Sequence, residues 1–121
     1  MSKVYDIPKN IHIHTTYGEF YTVIKKNNFI DNMHQLFTFA SLLGLKHNQY
    51  NTDKKDSDIF QVQNIDEDNL KVLKGIALMK LDVENGKELI QEIVNYADGG
   101  IEIIKKDYEN EGRIRLDKYI N

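Results

Sequence analysis

Residues 29–48, FIDNMHQLFTFASLLGLKHN, combine apolar periodicity with a start signal and a stop signal more completely than any other stretch of the chain. Met33, Leu36, Phe37, Ala40 and Leu43 recur at three-and-four spacing, which places them along one side of a helix. Phe39 and Leu42 widen that stripe, so the helix is expected to be covered on two sides instead of lying on a surface. Asn28 and Asp31 are both capable N-caps. Gly44 suits a left-handed C-terminal position, with Leu45 folding back on Phe39 or Ala40 to stop the helix. The spacing describes a packing element: Phe29, Phe37 and Phe39 read as core, with a partner-facing surface as the alternative.

Upstream, Pro8 blocks a regular start and biases Ile7 toward extended geometry. In IHIH (11–14), Ile11 and Ile13 share one face and His12 and His14 the other, as in a short strand. Thr15 or Thr16 can cap a helix running to about Lys26, with Phe20, Val23 and Ile24 inward and Lys25 and Lys26 at its negative end. Downstream, residues 47–58 (HNQYNTDKKDSD) have no periodicity and predict an exposed, mobile loop. Residues 59–65 (IFQVQNI) alternate well enough to pair with 11–14, although such a ribbon needs helices packed against it.

Asp66 predicts a capped helix over Leu70, Leu73, Ala77 and Leu81, with Gly75 a local weak point costing about 1 kcal/mol relative to alanine. The next helix points Leu89, Ile90, Ile93, Val94 and Ala97 inward and stacks Glu84, Glu88 and Glu92 one turn apart outside. Gly99 and Gly100 predict an interruption, after which Ile101, Ile104 and Tyr108 continue the stripe, supported by Glu102 with Lys105 and Lys106. The tail RIRLDKYIN (113–121) stays unassigned. Together these segments predict a mainly α, compact helical domain of four to five helices with a small two-stranded β ribbon, one domain over residues 1–121.

Composition narrows the function classes. With no cysteine in 121 residues, disulfides, thiolate metal sites and cysteine nucleophiles are excluded, and the cytoplasm is the expected compartment. The N-terminus lacks a signal-peptide core, and no apolar run reaches the roughly 18 residues that span a bilayer, so no membrane partner is expected. The net charge of −3 is unevenly split: residues 1–60 hold seven lysines against six acids, and residues 61–121 nine bases against thirteen acids. The second half is therefore a poor nucleic-acid surface, and the first half lacks a dense basic stripe.

No pattern specifies a reaction centre, so no catalytic residue, metal ligand set or cofactor is assigned. His12 and His14 are one residue apart on a strand and could chelate a metal if His34 or His47 came close, which is the basis of a metal-dependent nuclease reading. None of Ser2, Ser41 and Ser57 lies in a nucleophile setting. Ser41 fits a helix surface or a hydrogen bond to the preceding turn. The order strand, helix, Asn-rich turn, helix also matches a ribbon-helix-helix DNA-binding regulator, in which a dimer sends alternate strand residues into the major groove. His12, His14, Lys25 and Lys26 are the candidate nucleic-acid contacts on that reading, and Glu84, Glu88 and Glu92 the candidate partner surface.

From about Phe29 to Lys106 the chain resembles the family called DNA phosphorothioation-associated protein 4, or Dnd system-associated protein 4. The residues that carry the resemblance are Phe39, Ala40, Leu43, Gly44 and Lys46, and the phrase Tyr96, Ala97, Gly99 and Gly100. The resemblance implies a bacterial accessory protein encoded beside DNA phosphorothioate modification or restriction functions in anti-phage defence islands. Its expected partners are larger proteins of that system, with DNA and a second copy of the chain as further candidates. Neither phrase supplies a nucleophile, an acid–base pair or a metal ligand, so no activity is carried over with it.

Overall fold

The computed structural model describes residues 6–27 and 32–112. It is mainly helical, with four α-helices and a two-stranded antiparallel ribbon. In chain order the elements are β1 (His12–Thr15), α1 (Gly18–Lys26), α2 (Met33–His47), β2 (Ser57–Gln61), a 3₁₀ turn (Val62–Asn64), α3 (Glu67–Lys80) and α4 (Gly86–Glu111). No helix of the described residues is long and apolar enough to cross a membrane.

The central helix lies where its periodicity predicts, and its burial explains the wide apolar stripe. Leu36, Phe37, Ala40, Leu43 and Leu45 are buried on more than one side, while Phe39 and Leu42 are partly buried against the same core. Its ends differ from expectation. Asn28 and Asp31, and with them Phe29, lie outside the described residues; the N-cap is Asn32, whose side chain accepts from the Gln35 amide at 3.0 Å. The helix does not stop at Gly44. It continues to His47 and closes on Asn48, which takes the left-handed conformation at φ 53°, a conformation asparagine tolerates better than most residues.

Gly44 has another task, shared with Gly100. A Cβ on Gly44 would collide with the carbonyl of Tyr96, and one on Gly100 with the carbonyl of Ala40. The backbones of α2 and α4 therefore touch, and only a residue without a side chain fits at each contact. Gly99 likewise lies against the Gln49 carbonyl. This corrects the expected interruption: α4 runs through Gly99 and Gly100 as one 26-residue helix, and the expected fifth helix is its second half. The about 1 kcal/mol that each helical glycine forfeits is offset by the close approach it permits.

The ribbon pairs as expected, with His12 opposite Gln61 and Ile13 opposite Phe60, and an irregularity between Ile13 and His14. Ile13 is fully buried while His12 and His14 are exposed, matching the predicted alternation. β2 ends at Gln61, and Val62 is buried in the 3₁₀ turn instead of extending the strand. In α1, Phe20 and Ile24 face inward as predicted, but Val23 is 41% exposed and Tyr21 takes the buried place. Neither Thr15 nor Thr16 caps α1, whose N-cap position is Tyr17 without a side-chain bond. Asp66 does cap α3, accepting from the Asp68 amide at 2.9 Å. Ser41 is buried and returns its hydroxyl to the Phe37 carbonyl at 2.7 Å.

The two kinds of glycine make opposite predictions. Gly44→Ala and Gly100→Ala are each expected to lose about 3 kcal/mol in urea unfolding, because backbone meets side chain with no space to yield. Gly75, with open space around its Cβ position, is expected to gain about 1 kcal/mol on replacement by alanine.

Candidate functional site

α4 is flanked by two polar assemblies that meet along one surface: a partly buried network around Asp98 and Glu102, and an open groove against β1. Asp98 is only 1% exposed. Its carboxylate accepts the Thr15 hydroxyl and the Thr16 amide (3.0 Å), and pairs with Lys55 Nζ at 2.9 Å. A carboxylate removed from water needs such partners, since an unpaired buried charge costs several kcal/mol. Thr15 Oγ1 in turn accepts from the Tyr17 amide at 3.0 Å, so the hydroxyl first expected to cap α1 is shared between the helix start and Asp98.

One turn on, Glu102 accepts from Tyr17 Oη at 3.0 Å, from Gln49 Nε2 at 3.0 Å and from the Asn51 side chain. Burial pushes the Tyr17 hydroxyl to a pKa of about 12, with the hydrogen bond and charge of Glu102 adding to it. Lys105 lies over the Tyr17 ring at 5.5 Å and reaches Glu109 at 4.0 Å. The expected support of Glu102 by Lys105 and Lys106 is thereby replaced by contacts to the 49–51 segment.

Residues 47–58 are mostly exposed, as expected, but these bonds tie the segment to the rest of the fold. Asn51 is buried, its amide donates to the Asn95 carbonyl at 3.1 Å, and its own carbonyl accepts Lys55 Nζ at 2.7 Å. The Lys54 carbonyl accepts from Thr16 Oγ1 at 3.0 Å. A segment without periodicity is thus held by polar contacts to two elements distant in sequence.

The groove, about 510 Å³, has Ile11–His14 on one wall and Ile90, Gln91, Glu92, Val94 and Asn95 on the other. His12 and His14 line it with ring centroids 6.4 Å apart. His12 Nδ1 lies 2.7 Å from Asp58 Oδ2, and Gln61 Nε2 lies 3.3 Å from His12 Nε2. With the ring hydrogen on Nδ1 both contacts are satisfied. His34 does not join them: it packs edge-on against Phe60 and Nδ1 is buried without a hydrogen-bond partner among the described residues. No cluster of three or more potential metal ligands occurs among the described residues.

The remaining predicted site residues are dispersed. Lys25 and Lys26 are exposed in the last turn of α1 and do not line the groove. Glu84, Glu88 and Glu92 do not form one helix face, because Glu84 precedes the Asn85 N-cap; its amide instead donates to Glu88 Oε2 at 3.1 Å. Glu92 accepts from Tyr50 Oη at 3.1 Å on the groove wall. A residue assigned to the partner surface therefore shares the groove with two assigned to nucleic acid. Asp98 and Asn51 escaped sequence reasoning, although an acid at three-and-four spacing from Val94 and Ile101 is a legible signal for a buried carboxylate.

No protein-family model matches the chain, and neither a curated protein nor a solved structure matches it.

Removing the Asp98 charge by Asp98→Ala is expected to cost about 3 kcal/mol, because Lys55 and Thr15 lose their partner; chemical denaturation measures it, and Lys55→Met in the same background should restore part of the loss. Burial lowers the His34 pKa from its ordinary 6.5, against the opposing charge of Asp66. The unfolded chain then binds the proton more readily, so stability is complete above about pH 6.5 and declines as pH falls below it. Thermal melts at pH 7 and pH 5 should show a drop that His34→Gln reduces.

Proposed function

We propose that this chain is a non-catalytic accessory of a bacterial DNA phosphorothioation-linked modification or restriction system, of the anti-phage defence type, acting through contacts with larger proteins. Direct DNA contact is secondary. One observation carries this reading: the two phrases behind the family resemblance pack on each other. Ala40 and Gly44 of the first meet Tyr96 and Gly100 of the second. What the resemblance shares is thus a helix crossing, which supports a scaffold that presents surfaces.

The ribbon-helix-helix reading requires two copies to build the ribbon, whereas here β1 finds its partner strand within its own chain. The surface best suited to a protein partner is the groove between β1 and α4, with His12, His14 and Glu92 at its polar rim.

Co-expression with the proteins encoded beside its gene, followed by gel filtration, tests the proposal. The chain is expected to co-elute with one of them, and the double variant His14→Glu, Glu92→Lys to weaken that association about tenfold, or 1.4 kcal/mol, without lowering Tm. A chain that binds none of them but cleaves nucleic acid overturns it. Retention of duplex DNA that falls with salt and with loss of Lys25 and Lys26 would favour the regulator instead.

A further inference from the structure

The β1–β2 ribbon has two strands among the described residues, which leaves β1 with one edge unpaired. The Val62 amide donates to the Ile11 carbonyl at 2.9 Å, and Ile13 stands opposite Phe60. Backbone polar groups alternate sides along a strand, so Ile11 and Ile13 address β2 while the amides and carbonyls of His12 and His14 point to the other edge. The irregularity takes its extra residue, Ile59, from β2, and so leaves the alternation along β1 intact. Four consecutive residues, Ile11–His14, touch the groove. Side chains alternate between the two faces of a strand, so a groove touching four in a row runs along the strand's edge.

We propose that an extended segment of a partner protein enters this groove as a third strand, pairing its backbone with His12 and His14 between β1 and α4. This rests on the reading of the chain as a protein-contact module and names how the contact is made. The far wall specifies the segment's chemistry. Val94, with the buried Ile90 behind it, offers apolar surface between the polar side chains of Gln91 and Asn95. Of the two charged groups beyond the histidines, Lys55 is already paired with Asp98, which leaves the Glu92 carboxylate, held among the described residues by the neutral Tyr50 hydroxyl, to attract a cation. The occupant is therefore a segment of alternating apolar and basic residues. A second copy's β1 fits poorly, since the β2 paired behind it would enter the space this α4 occupies.

Amide hydrogen exchange on the full chain, titrated with an acetylated octapeptide of alternating valine and lysine, tests this. The His12 and His14 amides should slow by at least about tenfold, whereas Ile13, already in the ladder, should change little. An octapeptide of alternating valine and glutamate should bind about tenfold more weakly, a difference that Glu92→Gln narrows. The valine–lysine peptide N-methylated at alternate residues should not protect. Neither should it protect His14→Pro, where an outward N–H is lost and the β1–β2 bonds are kept; the N-methylated peptide answers the same question on the unaltered protein. Binding without protection of His12 and His14, or undiminished binding of the N-methylated peptide, overturns the proposal. Protection that appears with protein concentration alone also overturns it, assigning the edge to a second copy. Peptide protection without co-elution of any neighbouring gene product defeats the accessory reading and leaves strand addition standing. Co-elution unaffected by His14→Pro does the reverse.

Discussion

The close contact of α2 with α4 is the constraint on which the rest of this structure depends. At Gly44 against Tyr96, and at Gly100 against Ala40, main chain lies on main chain. Dispersion attraction is weak per atom pair and falls off within a fraction of an ångström, so glycines at a crossing allow many contacts that larger side chains would hold apart. Leu36, Phe37, Leu43, Ile93, Ala97, Ile101 and Ile104 are then buried around the contact. The distance between the two helices also determines where the segment leaving α2 can run. That segment passes over Gly99, whose missing side chain admits the Gln49 carbonyl.

This route explains the polar network. Once residues 49–55 are drawn across α4, Asn51 is buried and the side chains of Gln49, Asn51 and Lys55 come against the helix. Asp98 and Glu102, one turn apart, supply acceptors toward both the 49–55 segment and the β1–α1 junction. Each carboxylate thus joins parts of the chain separated by roughly half its length. A buried charge of this kind is weak evidence for net stability, but it penalises any arrangement that leaves it unpaired. Its structural effect is register: β1 can sit in only one place relative to α4.

The position of β1 in turn makes the groove. Had the ribbon been covered on both edges, His12 and His14 would be ordinary surface histidines. With one edge free among the described residues, beside Glu92 and Val94, they border a slot that offers backbone hydrogen bonds, apolar surface and a carboxylate. Function on this view belongs to a surface, while Ala40, Gly44, Tyr96 and Gly100 lie in the crossing that holds it.

Much of the fold was legible because local rules and tertiary structure agree there. The stripe of α2, the alternation of Ile11 to His14, the Asp66 cap and the turn-rich break after His47 follow from 3.6- and 2-residue periods and from side chains that satisfy nearby amides. The misread glycines share one cause. Gly44, Gly99 and Gly100 carry helix-stop signals, but they serve contacts with residues about fifty positions away, which no local pattern records. Asp98 and Asn51 look like surface residues until their partners arrive from β1 and α4. By itself the sequence determined which segments are helical or extended and which faces are apolar, because those depend on neighbours a few residues apart. Only the tertiary structure decided which glycines touch backbone, which acids are buried and which strand edge stays open, because each of these depends on what a distant part of the chain places beside it.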